Sequence, residues 1–350
     1  MKTRPPLHLL TLALIALAPL GCSTYSGPLE SGRQASRADA PTMRTFALDL
    51  LERASQSATP LFRANALEGL AGHHPESDRL VLDALDDPNL GVRFTAALLA
   101  GQQQIPQSVT FLESMLYDES EVVRCAAAGA LAMLGHESNM QSIARVLFNG
   151  SSRERAQAAF VLGEIGDPSA VPMLLDAAER PLSRSSVIEE KILRLQIAEA
   201  LVKLGHESSI EPVRASLFPS RQQELELAVL AIQIIGQVED RRSIDQLVYM
   251  AERNGEPGSG EEPLPAEIRL ACASSLALLG LPRGAFIALE YVDHDIPAIR
   301  AQAAYTLGVI GDPEHAPRLA KMVDDPNGVV SISAASALVR VLETDMAQAP

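Results

Sequence analysis

The sequence predicts an all-α protein, a right-handed α-solenoid of about nine stacked helix hairpins. Three observations predict it. The phrase QAAFVLGEIGDPSAVPMLL at 157–175 returns as QAAYTLGVIGDPEHAPRLA at 302–320, and looser copies of its helical part recur mostly every 31 residues. Hydrophobic residues make up 47% of the 350, yet aromatics are only 4% and Trp is absent. Such a core must be built from Ala, Leu, Val and Ile, which suits closely packed helices.

Residues 1–21 come first and read differently from the rest. Lys2 and Arg4 precede an apolar run from Leu9 to Leu20, followed by Gly21 and Cys22. The run is shorter than the roughly 20 residues a membrane-crossing helix needs. A positive start, a short apolar stretch and a small residue before a break mark an export signal. The Gly21-Cys22 ending resembles the lipobox of bacterial lipoproteins, with Pro19 departing from the Leu usual there. That resemblance implies cleavage before Cys22 and lipid on its thiol and new amino group. It implies a lipid-anchored, periplasm-facing location in the cell envelope, and Ser23 in place of Asp implies the outer membrane. An ordinary secreted protein cut near this point, or an uncleaved anchor, stays open beside it. Cleavage would remove Lys2 and Arg4 but no acid, taking the net charge from −15 to −17.

Residues 22–42 hold the lipidated Cys and a Ser-, Gly-, Pro- and Ala-rich tether without periodicity. As a coil its 20 residues after the Cys would span about 25 Å. The repeat array then occupies 43–345, and 346–350 read as a disordered tail.

Within the array the template is Arg, two free positions, two small apolar residues, a free position, a small one, Leu, and Gly eleven after the Arg. RCAAAGALAMLG from Arg124, RAQAAFVLGEIG from Arg155, RLQIAEALVKLG from Arg194, RLACASSLALLG from Arg269 and RAQAAYTLGVIG from Arg300 fit it. Weaker copies start at Arg63 and Arg93, and two without Arg start at Leu225 and Ser331. Successive starts lie 30, 31, 31, 39, 31, 44, 31 and 31 residues apart, the long steps being insertions of 8 and 13. Each period reads as two helices. A helix B runs from the Arg to the Gly, which suits a left-handed C-terminal cap. Asp167 and Asp312 then cap the next helix, A, with Pro168 and Pro313 at its first position. One hairpin cannot bury its apolar face, but stacked neighbours can.

This pattern resembles the HEAT-like repeats of phycobilisome-lyase-related proteins and many bacterial scaffolds, over roughly residues 44–343. The resemblance implies that the Arg opening helix B pairs with an Asp in a neighbouring turn. Arg93, Arg124, Arg155, Arg194, Arg269 and Arg300 are the candidates here, with Asp87, Asp118 and Asp325 six residues before a B start. Loss of Arg and Gly from the final copy fits a terminal cap, and nine hairpins would make an arc of about 80–90 Å. Some relatives attach bilins to proteins; no motif here carries that activity over.

On a helical wheel, positions 5 and 9 after the Arg point away from the core. They comprise Leu98, Phe160, Leu230 and Tyr305, and Met133, Ile234, Leu278 and Val309, with Glu164, Glu199 and Lys203 between. One reading makes this concave row a groove for a partner, anchored by Phe160 and Tyr305. The other has tight curvature or the N-terminal segment covering it. The insertions, basic at 179–187 and acidic at 252–265, emerge on one edge and either extend a binding face or decorate it.

A net charge of −15 argues against nucleic acid. Cys125 and Cys272 read as small core residues. The histidines are spread over the repeats, no His-x-x-x-His spacing occurs, and no Gly-x-Ser-x-Gly, Walker loop or dinucleotide fingerprint appears. The expectation is therefore no enzyme, no catalytic or metal residues and no cofactor. The function read is a membrane-anchored scaffold or adaptor for other envelope proteins. The alternative is a binding module for a small or polymeric envelope ligand such as a cell-wall fragment.

Overall fold

The computed structural model describes residues 39–137, 140–181, 186–217, 225–254 and 262–348. The signal segment, Cys22 and most of the tether lie outside the described residues, as do 182–185 and 255–261 within the two insertions. Among the described residues the chain is all-α, without strands, and forms an α-solenoid of nine helix hairpins.

The hairpins pair an A helix with a B helix. The first five are α1 Ala40–Ser55 with α2 Pro60–Leu70, α3 Ser77–Ala84 with α4 Leu90–Gln102, α5 Val109–Met115 with α6 Glu121–Met133, α7 Gln141–Asn149 with α8 Ser152–Ile165, and α9 Val171–Glu179 with α10 Val187–Lys203. The other four are α11 Ile210–Ala215 with α12 Leu225–Gln237, α13 Ile244–Glu252 with α14 Ala266–Leu278, α15 Ala285–Tyr291 with α16 Pro297–Ile310, and α17 Ala316–Met322 with α18 Gly328–Gln348. All nine repeat starts fall in the B helices.

Helix α1 begins earlier than the tether's expected end at 42. The Asp39 carboxylate accepts the Thr42 N–H at 3.1 Å and Pro41 occupies the first turn, so the ADAPT run starts a helix. Likewise α18 runs to Gln348, into the expected tail.

The small residues of the template sit where B helices pack together: Ala96, Ala97, Ala158, Ala159, Ala303 and Ala304 have no exposed surface. Gly166 and Gly311 end α8 and α16 at φ 74° and 72°, the left-handed region that a Cβ disfavours. Asp167 and Asp312 follow and accept the Ser169 and Glu314 N–H groups, both at 2.9 Å. What they cap is a 3₁₀ turn leading into the A helix, not the A helix itself. Cys125 and Cys272 are buried and unbridged, and burial pushes the Cys125 thiol up to about 12 and the Cys272 thiol up as well.

The described chain forms two compact units, one of residues Pro75–Ile234 and one of residues 39–74 with those from Ile235 onward. In the first unit α4, α6, α8 and α10 pack successively side by side. In the second, α14, α16 and α18 do the same, and α18 is then covered by α1 and α2. The expected terminal cap is thereby corrected, because within this unit the first hairpin covers the last. A Cβ at Gly69 of α2 would overlap the Ser336 side chain of α18, and Gly328 lies against the Phe62 ring. The Glu343 carboxylate accepts from Arg44 Nη2 at 2.9 Å and meets His73 Nδ1 at 2.6 Å, while Arg44 Nη2 also donates to the His73 carbonyl at 2.8 Å.

Candidate partner-binding face and arginine ladder

Of the eight inner-row residues, Leu278 is the exposed one, at 40%. Met133, Phe160, Tyr305 and Val309 are half-buried, and Leu98, Leu230 and Ile234 are buried. Those last three do not present the free surface that the helical wheel assigned them. For Leu98 the reason is visible. Gln102 Nε2 donates to Glu164 at 2.7 Å, across two hairpins, so the row closes on itself.

A compact ionic cluster fills that closure. Lys203 Nζ reaches Glu164 at 3.1 Å and Glu199 at 2.7 Å, and all three side chains are only 10–12% exposed. The same ammonium lies 5.2 Å from the Phe160 ring centre, a cation–π distance. Burial alone would lower the Lys203 pKa, but Glu199 and Glu164 more than offset it, and the net direction is upward. In the second unit, burial pushes the Tyr305 phenol up, opposed by Arg340 and reinforced by Glu68. The inner row of the first unit is therefore largely occupied by the protein's own groups.

The arginine ladder forms in part. Arg93 of α4 grips Asp118 with Nε at 2.8 Å and Nη2 at 3.0 Å, and its Nη1 donates to the Asp87 carbonyl at 2.9 Å. Arg300 of α16 repeats the arrangement on Asp325 at 2.7 and 2.9 Å, with Nη1 on the His294 carbonyl. Each pair spans 25 residues. The ladder aspartates also hold their own turns: Asp87, Asp118 and Asp325 accept the N–H two residues on, at 2.8, 2.8 and 2.9 Å. Arg269 of α14 uses Glu290 and the Tyr291 hydroxyl instead, both at 2.6 Å.

Three candidates depart from the pattern. Arg124 pairs with Glu121 in its own first turn, since residue 25 on is Asn149. Arg194 is exposed and 3.9 Å from Glu190. Arg155 is buried, and the place 25 residues on is Arg180. Its Nη2 binds the carbonyls of Ala177 at 2.7 Å and Arg180 at 3.4 Å.

Two features escaped sequence reasoning. The Gln102–Glu164–Lys203 chain has a signal, since position 9 reads Gln, Met, Glu, Lys in successive copies, but only the tight local stacking makes alternate copies touch. His73 read only as one of the scattered histidines; its partner Glu343 is 270 residues away and no local pattern announces it. Among the described residues no group of three or more His, Cys, Asp or Glu gathers as a metal site, and no helix is long and apolar enough to cross a membrane.

The HEAT-repeat profile matches residues 47–132, 109–189 and 263–339, more than half of the chain. Deoxyhypusine hydroxylase of Drosophila melanogaster is 25% identical over 215 residues, 53% of this chain and 69% of that protein. The solved complex of CpcE and CpcF of phycocyanin lyase from Nostoc sp. PCC7120 shares 19% identity, with 66% of this chain and 86% of that chain covered and a TM-score of 0.36. Human deoxyhypusine hydroxylase, solved in complex with glycerol, shares 16% identity over 77% of this chain and 99% of that chain, with a TM-score of 0.35. The expectation of no enzyme is overturned by the sequence likeness to deoxyhypusine hydroxylase, which is one. Motif searching reads contiguous residues, whereas a repeat array can assemble a site from separate hairpins. What the repeats themselves establish is that this chain belongs to the HEAT-repeat family.

Proposed function

We propose that the protein is an interaction scaffold that docks other proteins on its A-helix faces, and that lipid on Cys22 holds it in the bacterial envelope, facing the periplasm. The observation that carries the docking reading is that five of the ten large apolar side chains exposed among the described residues stand on A helices. Phe111 on α5, Leu175 on α9, Tyr249 on α13 and Phe286 with Leu289 on α15 are 38–53% exposed. Phe286 and Leu289 are three apart and so share one face of α15, opposite its buried Ile287 and Ala288. Folding gains nothing by exposing them, whereas a partner would bury them. The support for anchoring is the Lys2–Arg4 start, the short apolar run and Gly21-Cys22.

The test is capture from detergent-solubilised envelope by the wild-type protein and by Phe286→Glu with Leu289→Glu. The expected result is a partner held by the first and lost by the second at unchanged helicity; equal capture by both removes this face from consideration. Metabolic labelling with a clickable fatty acid tests the anchor. Label on the wild type and none on Cys22→Ala is expected, and an unlabelled wild type would end that part of the reading.

The likeness to deoxyhypusine hydroxylase favours a second reading, in which the chain hydroxylates deoxyhypusine or a related protein side chain. One atom of dioxygen would enter a C–H bond and the other would leave as water with two electrons from an added reductant, so incubating the purified full chain with a deoxyhypusine-bearing protein in air with ascorbate, and measuring mass, decides it. Addition of one oxygen atom supports this reading, and an unchanged mass counts against it.

A further inference from the structure

We infer that the first hairpin is a latch on α18 whose hold is loosened by acid, with His73 as the group that senses the proton. The latch joins the two ends of the described chain, since α1 and α2 lie over α18. The fit is close: a Cβ at Gly69 of α2 would overlap Ser336, and the Phe62 ring lies against Gly328. The hairpin's one covalent link to the later helices is the turn at 71–76, so its hold on α18 itself is non-covalent. Such a contact can open locally without unfolding the rest of the chain.

One carboxylate ties the polar side of this contact. Glu343 of α18 accepts from Arg44 Nη2 of α1 and meets His73 Nδ1, in the turn after α2, at 2.6 Å. Arg340, one turn before Glu343 on α18, is a second cation acting on His73. The charged groups facing His73 are therefore Arg44 from the hairpin and Arg340 and Glu343 from α18. Glu68 of α2 acts on Tyr305 instead, and His74 reaches Glu52 of α1 at 4.0 Å, a contact inside the hairpin. With His73 neutral, two positive charges share one carboxylate. A proton on the imidazole would make three, where the His73 side chain is only 15% exposed. Burial lowers the His73 pKa, Glu343 opposes this, Arg340 and Arg44 add to it, and the net direction is downward.

The sign follows from linkage. When the hairpin lifts, His73 regains water and its ordinary pKa of 6.5. Above that pH the latched and lifted forms both carry it neutral, and the latch has its full strength. As pH falls through 6.5 toward the lower latched value, the lifted form takes up the proton more readily and the hold weakens. Lifting uncovers the face of α18 that carries Ser336 and Glu343. The latch shares no side chain with the apolar A-helix residues assigned to partner docking, so the two stand or fall separately.

Hydrogen-exchange mass spectrometry of the full chain at about pH 7.5 and about pH 5.5, corrected for intrinsic exchange, reads the latch. Protection of α1 and α2 is expected to fall in acid by about threefold to tenfold, the upper figure being the limit for a group of ordinary pKa 6.5 that takes no proton while latched. Helices α4, α6 and α8 are expected to keep theirs. His73→Gln retains a hydrogen-bond donor for Glu343 but takes no charge, and its protection is expected to be equal at the two pH values. His74→Gln is expected to respond as the wild type does. If His73→Gln does not fold, the His73 ring resonance of the unaltered chain is titrated by NMR, with a midpoint expected below 6.5. Equal or greater protection of wild-type α1 and α2 in acid overturns the proposal, as does a loss shared by α4, α6 and α8. So does a response that survives His73→Gln or disappears in His74→Gln, or a His73 midpoint at or above its ordinary value.

Discussion

From their fourth residue onward helices α8 and α16 and the turns after them carry nearly the same words, RAQAAFVLGEIGDP and RAQAAYTLGVIGDP, differing at residues 160 and 305, 161 and 306, and 164 and 309. Locally they are the same object. Both end at a left-handed glycine, both hand over to an aspartate-capped 3₁₀ turn, and both bury the same paired alanines. Their energetic roles nevertheless diverge. Arg300 meets Asp325, while Arg155 meets the carbonyls of Ala177 and Arg180. Glu164 is bound into an ionic cluster, while Val309 in its place carries no charge. Nearly identical local sequence thus builds matching helices, and the position 164/309 difference together with residues one or two hairpins away decides what those helices hold.

The sharpest way to break the comparison is to give α16 the deficiency of α8. Asp325→Ala removes the carboxylate from Arg300, whose side chain is only 15% exposed, and also the acceptor for the Asn327 N–H. Removing one partner of such a pair leaves a buried charge, and the expected loss is about 3 kcal/mol in urea unfolding of the full chain. A loss within surface-mutation range would show that the ladder is ornamental in both helices.

Next in size is the cluster that α8 has and α16 lacks. Lys203→Met leaves Glu164 and Glu199 facing each other without their shared cation, with an expected cost of about 2–3 kcal/mol at neutral pH. The pH dependence has a definite sign. The folded-state Lys203 pKa lies above its ordinary value of 10.5, so its stabilising contribution is complete below that pH and lost as pH rises through the folded value. Wild-type stability should therefore fall in that alkaline range by more than that of Lys203→Met. Parallel curves from the two proteins would remove the cluster from the account.

Much of this was legible in the sequence, and the boundary is physical. The hairpins and their glycine ends follow from a period, so counting residues finds them, while an arginine–aspartate ladder was implied only by the resemblance to HEAT-like repeats, without its pairings. Leu98, Leu230 and Ile234 were misassigned to open surface because a wheel records direction around one helix and nothing of how closely the next hairpins approach. The Gln102–Glu164 contact depends on that approach. The docking of α1 and α2 on α18 depends on chain closure within one unit, and Ser331, having lost the Arg, gives no sign of it. Its hydroxyl donates instead to the Val323 carbonyl at 2.6 Å. Arg155 is the intermediate case, since Arg180 was readable at the twenty-fifth position once the other rungs were known.

The smallest effect tests how close the stacked B helices come. A Cβ at Gly308 would lie 2.7 Å from Ala337 Cβ and 2.8 Å from its Cα, closer than backbone can accept without moving. At Gly163 the nearest atoms are Ala200 Cα at 3.2 Å and, at 3.4 Å, Ala200 Cβ and Lys203 Cδ, tight but open to small adjustments. In both helices alanine gains about 1 kcal/mol over glycine from backbone entropy. Overpacking costs about 1–3 kcal/mol where the neighbour cannot yield. Gly308→Ala should therefore destabilise by about 1 kcal/mol net, and Gly163→Ala should fall within about 0.5 kcal/mol of wild type in either direction. Both are read from urea midpoints under the same conditions. Equal effects would mean that α8–α10 and α16–α18 are packed alike and that the twin helices differ only in their charges; the reverse order would mean that α8, not α16, is the more tightly held.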